Sequence, residues 1–255
     1  MSINSLNEIS TSAPKNFYLD KEEAKKKVDK LAEKISEKLT ILNAQKKYSI
    51  LVIFQGMDGS GKDGVTKQVF GATHPSITST IAFKKPSEEE FAHDFLWRIH
   101  QHAPEKGRLV IFNRSQYEDI LIQRVHKWID EKRVALRMAA INGFEELLVF
   151  DNNTIILKFF LHISKEKQLE KLEERIENPE KQWKHNDGDW DERELWDEYM
   201  KCYEYVLNES TIPWYIIPSD QQWYRDLLIA EAVLEKLESL DLEFPPLKSE
   251  RFGKN

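Results

Sequence analysis

The chain has 255 residues, 40% hydrophobic and 32% charged, with a net charge of -7, a balance that suits a well-solvated globular protein and argues against a nucleic-acid binder, which shows a basic surplus. Its apolar runs fall far short of the roughly 20 residues that span a bilayer, its N-terminus has no apolar signal stretch, and its one cysteine, Cys202, excludes an internal disulfide and a multi-cysteine metal site. A cytoplasmic protein built around a single α/β domain is expected, with no membrane and no nucleic-acid partner.

In chain order, residues 1–17 are polar and rich in Ser and Asn, and predict a flexible or loosely docked arm. Residues 20–44 place Ala24, Val28, Leu31, Ile35, Leu39 and Leu42 at spacings of three and four, an amphipathic helix with a solvated Lys-rich face. The pattern then changes to a continuous apolar run at 48–55 (YSILVIFQ), as expected of a buried parallel strand. Similar runs occur at 109–113, 155–163 and 214–218, with a weaker one at 78–83. Helical stretches separate them at 61–70, 88–102, 117–125, 134–151, 165–176, 191–208 and 222–240. This alternation predicts a three-layer α/β fold of the P-loop kinase type: a mostly parallel sheet of about five strands, joined by right-handed crossovers and flanked by helices. The domain is expected over residues 18–243, and 244–255, with Pro245-Pro246, reads as a tail. Residues 177–191 (ENPEKQWKHNDGDWD) are charged, carry Pro179 and Gly188 as breakers, and predict a mobile lid over about 175–193.

The first strong strand runs into Gly56-Met57-Asp58-Gly59-Ser60-Gly61-Lys62-Asp63-Gly64 and then into a helix, with the G-x-x-x-x-G-K spacing of a phosphate-binding loop. Such chemistry needs these residue types: glycines let the backbone N–H groups curl inward onto phosphate oxygens, the helix adds its positive end, and Lys62 adds a point charge. The residue after the lysine is usually Ser or Thr, for Mg²⁺; here it is Asp63, which either caps the helix start or binds metal through water. Asp58, a carboxylate within the loop, would repel phosphates unless a cation or proton lay between, so it is a candidate metal ligand, or a base or orienter for the attacking phosphate. The second buried strand ends in neutral Asn113 and is followed by Arg114, whose planar fork suits bidentate phosphate contact at the carboxyl edge of a sheet. Glu118, one helical turn on, can supply the missing carboxylate.

Taken with Phe83-Lys84-x-Pro86, Asp94-Phe95-Leu96-Trp97-Arg98, Phe112-Asn113-Arg114-Ser115-x-Tyr117-Glu118-Asp119, Arg124-Val125-His126, Trp183-Lys184, Trp196-x-x-Tyr199 and Pro213-Trp214, the chain resembles the polyphosphate kinase 2 family over roughly residues 20–240. The resemblance implies phosphoryl transfer between inorganic polyphosphate and nucleotides with Mg²⁺. Members that act only on a nucleoside diphosphate tend to carry Asp and Asn where this chain has Asn113 and Glu118, so it resembles the class III subgroup, which accepts AMP and ADP. Lys62 and the loop N–H groups (Gly56, Gly59, Ser60, Gly61, Gly64) would then hold phosphate. Arg114 would stabilise its equatorial oxygens, and Asp58 with Glu118 would hold Mg²⁺ or orient the attacking nucleotide. A polyanionic donor also needs a cationic track, for which Lys67, Lys84, Lys85, Arg124 and Arg133 are candidates. The lid would bring Arg175, Lys184 and Arg193 over the phosphates and exclude water. Trp97, Trp128, Trp196 and Trp223 are expected in the core, and a homo-oligomer, dimer or tetramer, is the expected assembly. The competing readings are an ATP-dependent nucleoside monophosphate kinase, which shares the phosphate loop and lid, and a nucleotide-binding switch, for which no Asn-Lys-x-Asp guanine signature is present.

Overall fold

A computed structural model describes residues 3–249 and 251–252. The first two residues of the expected arm, and residues 250 and 253–255 of the expected tail, lie outside the described residues. Five parallel strands form one sheet: β1 (Ser49–Gln55), β2 (Thr78–Ala82), β3 (Leu109–Asn113), β4 (Thr154–His162) and β5 (Trp214–Pro218). Their order is β2-β3-β1-β4-β5. The middle strands read as unbroken apolar runs because helices cover both faces, and every residue of β1 and β3 is buried. The register sets Phe54 of β1 between Asn113 of β3 and Phe159 of β4. Strand order reverses direction at β1, so the crevice beyond its carboxyl end lies where such sheets bind ligands.

On one face pack α1 (Lys21–Gln45), α2 (Lys62–Phe70) and a late helix, Gln222–Glu238, closing a core of Ile35, Leu39, Phe54, Val65, Ile111 and Val233. Asp20 starts α1 with a capping box: its side chain accepts from the Glu22 and Glu23 N–H groups while the Glu23 side chain accepts from the Asp20 N–H. The opposite face carries α5 (Glu118–Val125), α6 (Glu131–Asn152) and α9 (Trp196–Glu209). Short helices α3 (Glu88–Ala92) and α4 (Trp97–His100) rim the β2 side, and α7 (Lys165–Glu177) with α8 (Gly188–Glu194) frame the 175–193 segment. The Gln222–Glu238 helix is α10.

Three expectations change in detail. The single helix expected over 88–102 is broken, because the Asp94 side chain accepts from the Leu96 N–H at 3.0 Å and offers the backbone a turn between α3 and α4. The polar arm is docked. Leu6 is fully buried, its N–H donates to Glu204, its carbonyl and that of Ile9 meet His162 Nε2 at 3.1 and 3.2 Å, and Thr11 and Ser12 donate to Asp220. Trp128 is 66% exposed and stacks on His126 instead of entering the core. Among the described residues no helix is long and apolar enough to cross a membrane.

Candidate active site

The site is built where β1 and β3 end. After Gln55 the chain turns at Gly56, where a Cβ would stand 2.7 Å from the Leu161 carbonyl oxygen. Gly61 sits at φ +94° against the Arg225 guanidinium, which a Cβ would overlap. Arg225 comes from α10, is fully buried, donates from Nη1 to the Ser60 carbonyl at 3.0 Å and is held by Asp226 at 2.7 Å. The phosphate loop is thus propped from the opposite end of the fold. Nothing in the local loop sequence announces this; the only signal is an Arg-Asp pair inside an otherwise apolar helix face.

Inside the loop, Lys62 Nζ donates to the Gly56 and Met57 carbonyls at 2.7 and 3.2 Å and lies 3.9 Å from Asp58 Oδ1. Ser60 Oγ is buried and has no hydrogen-bond partner, a polar group that an anion in the loop would satisfy. Arg114 adopts φ +61°, the left-handed region that a non-glycine side chain seldom occupies. Its N–H donates to the Phe54 carbonyl, which ties β3 to β1, and Nη2 donates to Asp58 Oδ1 at 2.5 Å. Asn113 donates to the Asp63 carboxylate, so Asp63 braces α2 against β3 and makes no helix-capping bond. Glu118 opens α5. With the Gln55 amide oriented to satisfy both of its ends, Gln55 donates to Glu118 Oε1 at 2.9 Å and accepts from Ser115.

The two carboxylates shift in opposite directions. Burial would raise Asp58, but Lys62 and Arg114 outweigh it and hold the carboxyl below its usual range. Burial raises Glu118, and Arg114 and Lys62 only partly offset it. Lys62 is lowered, chiefly by burial. Arg114 is pulled up by Asp58 and Glu118 against the effect of burial. Asp58 and Glu118 therefore share Lys62 and Arg114 as charged neighbours. Among the described residues no three His, Cys, Asp or Glu side chains gather as a metal cage. Two carboxylates beside a phosphate loop fit Mg²⁺, which binds through one or two carboxylates and completes its shell with substrate phosphates and water.

A cavity of about 1030 Å³ opens from Arg114 and Glu118. Lys84, Lys85 and Arg133 line it, together with Arg98 and Arg137, while Phe91 and Trp128 stand on its wall. Arg98 is fixed by Asp119 at 3.3 Å, and Arg137 by the Asp119 carbonyl and Gln123. Arg124 points elsewhere: both its Nε and Nη2 bond Glu131, and its guanidinium lies over Tyr205. Lys67 is exposed on α2, away from this wall.

In the 175–193 segment, Arg175 Nη1 pairs with Asp189 Oδ2 at 2.5 Å, and its charge helps to lower Asp58. Lys184 is exposed over the Trp183 ring. Arg193 donates to the Lys165 carbonyl and to Gln168 Oε1 at 2.6 and 2.8 Å, stapling α8 to α7 without reaching the loop. Sequence reasoning missed Arg225, Asp189 and Arg137 and gave no role to Arg98 and Asp119 within their motifs; all of them join the site through tertiary contacts.

The model of the family described as "Polyphosphate kinase 2 (PPK2)" matches residues 18–245. The chain is 44% identical over 216 residues, 84% of this chain and 79% of the relative, to an AMP/ADP-polyphosphate phosphotransferase of Meiothermus ruber. It is 38% identical over 244 residues, 90% and 84% of the two chains, to an ADP-polyphosphate phosphotransferase of Rhodopseudomonas palustris. The crystal structure of polyphosphate kinase 2 from Arthrobacter aurescens TC1 superposes with a TM-score of 0.92 at 35% identity, covering 96% of this chain and 89% of that one. With this likeness running through nearly the whole chain, phosphate loop and cavity wall included, the protein belongs to the polyphosphate kinase 2 family.

Proposed function

We propose that the protein is a cytoplasmic, homo-oligomeric phosphotransferase that moves phosphoryl groups reversibly between inorganic polyphosphate and AMP or ADP. The observation that carries this reading is the convergence of Lys62 and Arg114 on a carboxylate set within the phosphate loop itself, Asp58. A loop that held nucleotide phosphates alone would gain nothing from a negative group there. A loop that aligns two phosphate chains end to end needs one to order the attacking end. The naming of the relatives from Meiothermus ruber and Rhodopseudomonas palustris supports the same substrates.

In this reading the loop N–H groups, Ser60 Oγ and Lys62 hold the transferred phosphate, and Arg114 spans its equatorial oxygens. Asp58 and Glu118 would hold Mg²⁺, which neutralises charge shared between the two substrates. The basic cavity wall, Lys84 and Lys85 foremost, receives one polyanion. Arg175 and Lys184 close over the site to exclude water, so that transfer outruns hydrolysis. Glu118 beside neutral Asn113 favours a site that accepts AMP as well as ADP.

The test is a product assay with purified protein, Mg²⁺ and long-chain polyphosphate, supplied with AMP or ADP separately. ADP from AMP and ATP from ADP, both lost in Lys62→Ala, are expected. Product from ADP alone would remove the AMP assignment. Product with ATP as donor but none with polyphosphate would make the protein a monophosphate kinase.

A further inference from the structure

Helix α6 carries an apolar stripe that faces solvent. Leu136, Ala140, Gly143, Leu147 and Phe150 recur at alternating spacings of four and three, the heptad pattern of helices that pack on helices. Leu136 is 63% exposed and Phe150 73%. The buried face of the same helix is a different set, Val134, Met138, Ile141, Phe144 and Leu148, so the exposed stripe contributes nothing to the core of its own subunit. A contiguous exposed apolar strip of this kind marks an interaction surface.

Two features select the occupant. The stripe is symmetric about Gly143: Leu136 lies seven residues before it and Phe150 seven after. A Cβ on Gly143 would meet nothing within 4 Å, so the glycine fills no packing need within the subunit. It leaves the helix backbone bare at the centre of the stripe, where a second helix can approach closely. The exposed charges are also split along the helix, with Lys132 and Arg133 before the stripe's midpoint and Glu146 and Asp151 after it, while Glu131 at the helix start is engaged by Arg124. A copy of α6 laid antiparallel across Gly143 brings the basic end of each helix beside the acidic end of the other. Lys132 lies eleven residues from Gly143 and Asp151 eight, a mismatch of about 4–5 Å along the axis, within the reach of a lysine side chain. A surface complementary to itself under a two-fold rotation is what an isologous dimer requires.

We infer that α6 is the two-fold interface of a homodimer, crossing its own copy at Gly143. Leu136 and Leu147 of one protomer pack against the partner's Phe150 and the partner's Ala140. Leu136 and Arg133 also line the cavity, so the partner's Phe150 stands at the rim of the site. This inference rests on the self-association proposed above and is independent of the reaction catalysed.

Analytical ultracentrifugation of the full chain decides it. The wild type is expected at the mass of a dimer or of a tetramer made from such dimers. Leu147→Glu with Phe150→Glu is expected to halve that mass by raising the dissociation constant at least about 100-fold, with the subunit still folded because both side chains are exposed. In a second measurement, Gly143→Cys is expected to cross-link to its copy with a short bis-maleimide, while native Cys202 is buried and stays silent. A monomeric wild type, with or without a foreign protein seated on α6, would overturn both the self-association and the interface. A wild-type oligomer whose mass survives the double substitution, and whose Gly143→Cys variant does not cross-link, would leave self-association standing and remove α6 from it.

Discussion

Asp58 and Glu118 share their charged neighbours and yet titrate in opposite directions, and this separates structural from functional worth. The folded Asp58 carboxyl sits below its usual range. It contributes stability that is present above the ordinary carboxylate pKa of about 4 and is lost as pH falls through the lower folded value. Asp58→Asn should therefore lower Tm at pH 7. Glu118 is raised by burial. Between the ordinary and the raised values the folded state binds more protons than the unfolded one, so stability falls as pH rises through that window. Glu118→Gln should raise Tm at pH 7 by a few degrees, a gain that vanishes below about pH 4, while transfer drops about 10²–10³-fold. Paired thermal melts and rate measurements check both signs; a Gln variant less stable than wild type at neutral pH would refute the assignment. Gly61→Ala tests the prop from α10. The added methyl must displace the buried Arg225 and adopt a left-handed conformation, so a loss of about 1–3 kcal/mol of stability should accompany loss of transfer, read by denaturant titration. That Lys62, Asp58 and Arg114 lie together was legible because phosphate loops and strand ends are contiguous motifs. Arg225 and Asp189 were not, because a residue that arrives by tertiary packing leaves no spacing to read.

Elements were legible in proportion to their periodicity. All five strands lie where apolar runs place them; β1, β3 and β4 are the clearest, since a strand buried on both faces cannot carry polar residues freely, while the half-exposed edge strand β2 gave the weakest run. Errors fell where a side chain bonds the backbone locally, as Asp94 does in splitting the helix expected over 88–102, or where polar composition conceals a single anchor. The arm is the second case: its Ser and Asn residues suggest looseness, but Leu6 is fully buried and two of the arm's carbonyls meet His162 Nε2. Deleting residues 1–13 should cost about 2–4 kcal/mol, from the exposed Leu6 contact surface and the unpaired His162 nitrogen, visible as a fall in Tm. An unchanged Tm would show that the arm's contacts are marginal. The 175–193 segment divides the same way. Arg193 bonds within its own pair of helices, whereas the Arg175 charge helps to lower Asp58 and pairs with Asp189. Arg175→Ala should lower kcat about tenfold or more, and Arg193→Ala should act on stability instead; equal kinetic effects would erase the distinction.

At the scale of the whole molecule, a net charge of -7 coexists with a cavity lined by Lys84, Lys85, Arg98, Arg114, Arg133 and Arg137 against Glu90, Asp94, Glu118 and Asp119, a local surplus of cations. Composition could exclude a general polyanion binder but could not show this segregation, because the basic residues come from separate stretches and meet only in the folded chain. A recess with a surplus of cations in a chain of net negative charge concentrates field lines there, which steers a phosphate chain towards it. Screening should then act on the donor more than on the acceptor. A long polyphosphate is attracted over many charges, some of them farther from the wall than the Debye length of about 8 Å at physiological salt, whereas a nucleotide is held by short contacts at Asp58, Arg114 and the loop. Raising the salt from about 50 to 500 mM should increase KM for long-chain polyphosphate at least about tenfold and KM for AMP or ADP about threefold or less. Lys84→Ala with Lys85→Ala should raise the polyphosphate KM at low salt and flatten its salt dependence, leaving the nucleotide KM nearly unchanged. If instead the double variant raised the nucleotide KM and spared that of polyphosphate, the basic wall would be the nucleotide's seat, and the phosphate chain would have to enter from the side of α2, where Lys67 is the exposed cation.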